Sequence, residues 1–176
     1  TLSELRNNAP NIKTVRIGTR VPVQDPKRVN SKLIETLNFY DNFRYEFGVN
    51  ICHPSEFTEE SVEALNLLIK NKFRLYNQHP LLKGVNDNVD TLVKLYEKMR
   101  EIGIEPHYLF HAIPMKGMSH HRTSVKKGLD LSMQLSSGGY FSGRSKPKFC
   151  LMTDLGKVVL YDGSLKEKNE HNEILI

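Results

Sequence analysis

Residues 73–103 read FRLYNQHPLLKGVNDNVDTLVKLYEKMREIG, a strand-like run followed by a short loop and a helical pattern. In the second half of this stretch apolar residues recur on one helix face, as Leu92, Val93, Tyr96 and Met99. Gly84 lies in the loop, Asp87 is expected to open the helix as a capping residue, and Gly103 is expected to end it. A strand, a loop and a helix in this order form one βα unit of a parallel sheet.

The same order of elements repeats along the chain at a period of about 30 residues. Strand-like runs start near Ile12, Phe43, Phe73 and His107. Helical patterns follow the first three runs, among them SKLIETLNFY at 31–40 and TEESVEALNLLIKNK at 58–72, where Thr58 is the expected N-cap. Right-handed crossovers would curl such units into a barrel or a doubly wound sheet. We therefore predict an α/β fold with parallel strands near 12–18, 44–50, 73–79 and 107–112.

A different pattern follows residue 123, so we predict βα units at 1–123 and a distinct C-terminal region at 124–176. A helix is expected to start near Ser124, and the Gly- and Ser-rich loop SSGGYFSGRSKPKF follows it at 136–149. A β-hairpin is predicted near 148–161, with its turn at 154–156. The charged segment KEKNEHNEILI at 166–176 is expected to be a frayed tail or a helix.

The composition excludes several classes of protein. The 176 residues are 39% hydrophobic and 26% charged, as in ordinary globular domains, and no apolar run is long enough to span a bilayer. Cys52 and Cys150 define neither a disulfide framework nor a zinc site, which favours a reducing cytoplasm. The net charge of +5 suits anionic ligands such as phosphates or carboxylates, and the lack of a basic block argues against nucleic acid.

Polar residues gather at the carboxyl ends of the four predicted strands. In parallel α/β folds ligands bind at this edge of the sheet, so we predict a binding face there. Its members, in chain order, are Arg16, Thr19, Arg20, Asn50, Cys52, His53, Asn77, Gln78, His79 and His111. A buried amide is costly unless its hydrogen bonds are satisfied, so Asn77 and Gln78 in particular require partners.

Several of these segments together resemble the lysine 2,3-aminomutase family. They are VRIGTRVPVQDPKRV at 15–29, NICHPSEFTEES at 50–61, NQHPLLKGVNDNVDTL at 77–92, PHYLF at 106–110 and SHHRTSVKKG at 119–128. Members of this family are radical S-adenosylmethionine enzymes that also carry pyridoxal phosphate and move an amino group between adjacent carbons. The resemblance implies an isomerase whose fold is a partial (β/α) TIM-like barrel, of which this chain is the C-terminal half with a C-terminal β-hairpin.

The resemblance also implies a [4Fe–4S] cluster bound by a CxxxCxxC loop, which this sequence does not contain. Three thiolates in one loop are needed to hold the cluster and leave one iron open, so Cys52 and Cys150 cannot replace it. The beginning of the protein is therefore expected to be missing, no metal ligands are expected in this chain, and the chain alone is expected to be inactive. A reducing electron donor would be a partner of the complete enzyme, and the chain alone is expected to be poorly stable or to associate into homo-oligomers.

Residue roles follow from the same resemblance. Gln78 would contact the ribose of S-adenosylmethionine, while Asn77 satisfies neighbouring backbone. Arg16, Arg20, Asn50 and His111 would line the same cofactor. Lys146, which precedes Pro147, is the lysine expected to bind pyridoxal phosphate covalently, with Lys148 as the alternative. The like charge of Arg144 would favour a neutral amine on Lys146.

The expected substrate differs from that of lysine-acting members, which hold the remote ammonium group with two carboxylates. The first corresponds to Ile113 here, and the segment with the second is missing between Tyr140 and Gly143. L-lysine is therefore not the expected amino acid, and an apolar or anionic side chain fits better. Lys116, His120 and Arg122 are candidate substrate-binding residues for an anion. Two alternatives remain open: a radical S-adenosylmethionine enzyme without pyridoxal phosphate, and a non-catalytic α/β nucleoside-binding module.

Overall fold

The computed structural model describes residues 2–154 and 156–161, which form an α/β fold around one curled six-stranded sheet with the strand order β1-β2-β3-β4-β5-β6. The strands are β1 (Thr14–Thr19), β2 (Arg44–Val49), β3 (Arg74–Leu81), β4 (Glu105–His111), β5 (Lys148–Thr153) and β6 (Gly156–Val159). Strands β1 to β5 are parallel, and β5 and β6 pair antiparallel. The predicted half barrel and its C-terminal hairpin are confirmed.

The helices are α1 (Leu2–Asn8), α2 (Val21–Gln24), α3 (Ser31–Phe39), α4 (Glu59–Lys70), α5 (Val89–Ile102) and α6 (Val125–Ser137). Helices α3 to α6 are the helices predicted from the spacing of apolar residues and from the helix start near Ser124. The short helices α1 and α2 were not predicted. Thr58 and Ser124 cap α4 and α6 as expected, each accepting a hydrogen bond from a backbone N–H three residues later. None of the helices in the described ranges combines the length and hydrophobicity that a bilayer crossing requires. The charged segment 166–176 and Leu155 of the predicted turn lie outside those ranges.

The start of α5 corrects one expectation. Asn88, not Asp87, is the N-cap, because Asn88 has extended backbone angles and its side chain accepts from the Thr91 N–H at 2.9 Å. Asp87 instead accepts from the Gly84 N–H at 2.8 Å, which closes the loop in front of the helix. Gly84 has a φ of 74°, a conformation that favours glycine. The loop is therefore tight, as predicted, but its cap lies one residue further on.

The core lies between the sheet and helices α3 to α6, and β3 shows how the sequence builds it. Side chains alternate between the two faces of a strand, so Leu75 and Leu81 point into the core while Tyr76 and Gln78 lie on the opposite, concave face. Gly128 lets α6 pack closely on β5, since a Cβ there would stand 2.1 Å from the Phe149 ring. Both predicted regions, 1–123 and 124–176, thus contribute strands to the same sheet.

Candidate functional site

A cavity of about 700 Å³ opens on the concave face at the carboxyl ends of the strands. Four of the residues predicted to bind a cofactor line it: Arg20, Asn50, Gln78 and His111. Much of the remaining wall is apolar, contributed by Leu82, Val85, Phe110, Ala112, Ile113, Met115, Met118 and Met152. A cavity of this size with a few convergent polar groups suits a small organic ligand.

Arg20 organises the polar side of the cavity. Its Nη2 atom donates to Glu56 Oε1 at 2.8 Å, and its Nη1 atom donates to the Asn50 carbonyl at 2.8 Å and to Asn50 Oδ1 at 3.0 Å. Glu56 Oε2 in turn accepts from the Cys52 N–H at 3.0 Å. Both charges of the ion pair are half-buried and hydrogen-bonded, so the pair holds the chain after β2 against the chain after β1.

Cys52 belongs to this network as a neutral thiol. Burial raises the pKa of the Cys52 thiol, and the Glu56 carboxylate raises it further. The Arg20 Nη1 atom lies 3.3 Å from its sulfur. A thiol with a raised pKa is a poor nucleophile, which gives Cys52 a structural role beside the cavity.

Two amide groups remain available to a ligand. The Asn50 oxygen accepts from Arg20, and no residue in 2–154 or 156–161 accepts a hydrogen bond from its amide nitrogen. No hydrogen bond joins the Gln78 side chain to any residue of these ranges. Gly48 leaves room for that side chain, because a Cβ at Gly48 would stand 3.0 Å from Gln78 Nε2. The cavity therefore presents two uncommitted amides, one directly after β2 and one on the adjacent strand β3.

The two residues next to Gln78 on β3, Asn77 and His79, point away from the cavity and into the core. Asn77, which is 1% exposed, accepts from the Ile51 N–H at 2.8 Å and donates to the Ile51 carbonyl at 2.9 Å, so it serves the backbone as expected. His79 is 0% exposed, and its Nε2 atom lies 3.0 Å from the Tyr96 hydroxyl. Burial lowers the pKa of His79 to about 4, which keeps it neutral at pH 7. Asn77 and His79 thus belong to the core and not to the binding face.

His111 and Arg16 differ in their relation to the cavity. His111 lines it, and its Nε2 atom lies 2.9 Å from the Thr123 carbonyl, which ties the end of β4 to the loop before α6. Arg16 is on the concave face but does not line the cavity. It pairs with Glu46 at 3.1 Å and lies over the Tyr76 ring. His111 therefore lies around the cavity with the other predicted cofactor residues, whereas Arg16 does not.

The predicted substrate and pyridoxal phosphate residues lie outside the cavity lining. Lys116 and His120 are exposed, and Arg122 Nε donates to the Ala112 carbonyl at 3.1 Å. Lys146 donates from Nζ to the Ser136 carbonyl, which holds it on the loop after α6.

Three charged or titratable lining residues were missed by sequence reasoning: Glu56, His121 and Lys157. For Glu56 a signal existed, since it follows Cys52 by one short turn, Pro54–Glu56. His121 is adjacent to the predicted His120. Lys157 reaches the cavity because the parallel pairing of β5 with β4 places the predicted hairpin on the sheet, and that pairing joins residues far apart in the sequence.

The described residues do not fit an iron–sulfur cluster. Cys52 and Cys150 are both buried and free, and residues 2–154 and 156–161 hold no group of three His, Cys, Asp or Glu that could bind a metal ion. Cys52 lines the cavity, whereas Cys150, on β5, does not.

Comparisons with known proteins identify relatives over most of the chain. No protein-family model matches. The chain is 37% identical over 140 residues to an L-lysine 2,3-aminomutase from Clostridium subterminale, a match that covers 80% of the chain and 33% of that protein. It is 33% identical over 155 residues to a glutamate 2,3-aminomutase from Clostridioides difficile, covering 88% of the chain and 36% of that protein.

A solved structure supports the fold independently. The chain superposes on a radical SAM methyltransferase from Sphaerobacter thermophilus with a TM-score of 0.56 and 15% identity, covering 86% of the chain and 45% of that structure. At this identity the similarity concerns the fold. The chain spans less than half the length of the curated relatives it matches. By sequence, it is homologous to the C-terminal half of the lysine 2,3-aminomutase family.

Proposed function

We propose that the chain is the nucleoside- and substrate-binding half of a radical S-adenosylmethionine aminomutase, an isomerase that moves an amino group between adjacent carbons of an amino acid. The observation that carries this proposal is the pair of uncommitted amides, Asn50 and Gln78, in one cavity of a chain homologous to 2,3-aminomutases.

The lining fits S-adenosylmethionine in size and in chemistry. A cavity of about 700 Å³ can hold a nucleoside with its side chain. Gln78 offers both a donor and an acceptor, which suits a ribose hydroxyl, and Asn50 offers a donor. Phe110 and the methionines Met115 and Met118 provide apolar surface for a base or a sulfonium-bearing chain. Bound S-adenosylmethionine would supply the radical chemistry of the reaction.

The residues of this chain would bind, orient and protect. The Arg20–Glu56 pair fixes the oxygen of Asn50 and thereby the direction of its N–H groups. Because that pair is internally neutralised, Arg20 acts as a positioning residue. The apolar wall would exclude water from reactive species, which is the protein's share in such chemistry.

We further propose that the [4Fe–4S] cluster is bound outside this chain. The described residues do not supply its ligands, and the relatives are more than twice as long as the chain. The complete protein would then need a reducing electron donor, and the present chain alone would be inactive.

The substrate is proposed to be an amino acid other than L-lysine. Glu56 is the sole carboxylate among the lining residues that the structure describes, and it is committed to Arg20. A second ammonium group would therefore enter the cavity without a counterion, at a cost in desolvation. Relatives named for both lysine and glutamate show that the family accepts different side chains.

Pyridoxal phosphate separates two candidate functions. Lys146 is retained as its proposed attachment site, with Lys148 as the alternative, but neither lines the cavity, so the described residues do not fit a covalently held cofactor there. This observation favours, as the second candidate, a radical S-adenosylmethionine enzyme without pyridoxal phosphate. Borohydride treatment of the full-length protein loaded with pyridoxal phosphate, followed by peptide mapping, separates the two. A label on Lys146 or Lys148 supports the first, and an unlabelled protein supports the second.

The aminomutase reaction itself is tested with the full-length protein, a reductant, S-adenosylmethionine and ¹⁵N-labelled amino acids. We expect the label on the carbon next to the original position, only when S-adenosylmethionine is present, and no conversion of L-lysine. Consumption of S-adenosylmethionine without any shift of nitrogen would overturn the aminomutase assignment while leaving the nucleoside site intact.

A further inference from the structure

Lys157, on β6, is a basic residue of the cavity lining. It lines the cavity together with Met152, the residue directly opposite it across the β5–β6 hairpin. Directly opposed residues of an antiparallel pair lie on the same face of the sheet, so both project to the concave side. Gly156, with a φ of 111°, begins the returning strand.

The ammonium group is placed over an aromatic floor. Lys157 Nζ lies 4.7 Å from the centre of the Tyr108 ring and 5.2 Å from that of Phe110. Such contacts hold a cation without neutralising it. No carboxylate in 2–154 or 156–161 pairs with Lys157, in contrast to Arg20, which is neutralised by Glu56. The cavity therefore keeps one uncompensated positive charge among its described lining residues.

The charge of Lys157 also acts on a neighbouring side chain of the sheet, His107. Burial lowers the pKa of His107, the positive charges of Lys148, Arg16 and Lys157 lower it further, and the Glu105 carboxylate raises it. An uncompensated cation beside an apolar wall attracts an anion. The three residues first expected to bind an anion, Lys116, His120 and Arg122, do not line the cavity.

We propose that Lys157 binds a carboxylate of the amino-acid substrate in this cavity. The proposal rests on the proposed aminomutase function and gives its substrate an anionic contact. Two carboxylates could occupy the position: that of an acidic side chain, or the α-carboxylate that all amino acids share.

The test is a calorimetric titration of the full-length protein with L-glutamate and with L-glutamine, which have the same shape but differ in side-chain charge. Three variants are compared: Lys157→Met, Lys157→Arg, and the control Lys94→Met on the exposed surface of α5. Loss of a charge-assisted hydrogen bond at Lys157 should weaken binding about tenfold. Lys157→Arg should restore most of the affinity, and Lys94→Met should leave it unchanged.

Each outcome decides the proposal. Weaker binding of glutamate alone in Lys157→Met assigns the side-chain carboxylate, and equal weakening of both ligands assigns the α-carboxylate. Unchanged affinities in Lys157→Met, no binding to the wild-type protein, or a Lys157→Arg variant as weak as Lys157→Met would overturn it. If these titrations fail while S-adenosylmethionine still binds, only the role of Lys157 falls. If S-adenosylmethionine fails to bind while the Lys157 effect holds, the aminomutase assignment falls instead.

Discussion

Arg20 Nη1 lies 3.0 Å from Asn50 Oδ1, and this one hydrogen bond determines what the cavity can offer a ligand. Because the Asn50 oxygen is engaged by Arg20, its two amide hydrogens are the groups left to donate. Glu56 holds the other arm of the guanidinium at 2.8 Å, so the orientation of Asn50 depends on an ion pair that sequence reasoning did not include.

Replacing Arg20 should impair the site more than the fold. In Arg20→Met, Asn50 loses the contact that fixes its amide, and Glu56 is left half-buried without its cation. We expect a loss of about 1 kcal/mol in unfolding free energy, because the pair is partly screened by solvent, and at least a tenfold loss of S-adenosylmethionine affinity. On the full-length protein, urea unfolding measures the change in unfolding free energy, and calorimetry measures the change in S-adenosylmethionine affinity. Full retention of cofactor affinity would show that Asn50 does not need Arg20.

Gly48 is predicted to be required for the position of Gln78. A methyl group in Gly48→Ala would stand 3.0 Å from Gln78 Nε2, so the flexible end of Gln78 would shift. We expect the free energy of unfolding to change by less than about 1 kcal/mol, since the displaced group is a mobile side-chain end, while S-adenosylmethionine affinity falls clearly. Gly18 is the matched control: it pairs in register with Gly48, and a Cβ there meets nothing within 4 Å. Equal effects of Gly18→Ala and Gly48→Ala would refute the role of Gly48.

His79 should make the protein less stable in acid. Its pKa is lowered in the folded state to about 4, from an ordinary value of 6.5, so the unfolded chain binds the proton more readily. Neutral His79 therefore contributes fully to the free energy of unfolding above pH 6.5, and this contribution is lost as the pH falls towards 4. The loss is roughly 3 kcal/mol at most. Urea unfolding at pH 7 and at pH 4.5 measures this difference. His79→Gln should reduce it, whereas His120→Gln, at an exposed position, should not; identical pH dependence in both variants would contradict the assignment.

The sequence predicted the architecture because its signals are local. The period of strand and helix, the caps at Thr58 and Ser124, and the C-cap at Gly103 each depend on residues within a few positions of one another. The one-residue shift from Asp87 to Asn88 has the same origin, since both side chains can cap and only the backbone angles decide.

The site was predicted less completely, for two physical reasons. Alternation along β3 places Gln78 on the concave face and Asn77 and His79 in the core, but a polar triplet does not itself show which face is buried. Lys157 reaches the cavity through the parallel pairing of β5 with β4, and Glu56 is held there by its ion pair with Arg20; both relations join residues far apart in the sequence. Four of the predicted cofactor residues nevertheless line one cavity, because they share the carboxyl ends of parallel strands.

The isolated chain should associate or be of low stability. Strand β1 is an edge of the sheet, and the concave face exposes Ile113, Met115 and Met152. Unpaired strand edges and exposed apolar groups both favour association. Size-exclusion chromatography with light scattering should give oligomers or a concentration-dependent mass. A monomer with a high melting temperature would contradict this expectation.

Gln78 is proposed to bind S-adenosylmethionine in the concave cavity, and calorimetric titration of the full-length protein with S-adenosylmethionine measures this contact. Gln78 has no partner among residues 2–154 and 156–161, so its removal should cost the cofactor a hydrogen bond and should disturb little else. In Gln78→Ala the binding free energy should weaken by roughly 1–3 kcal/mol, with the melting temperature nearly unchanged. An unchanged affinity in Gln78→Ala, measured beside a wild-type protein that binds, would show that Gln78 does not hold the cofactor.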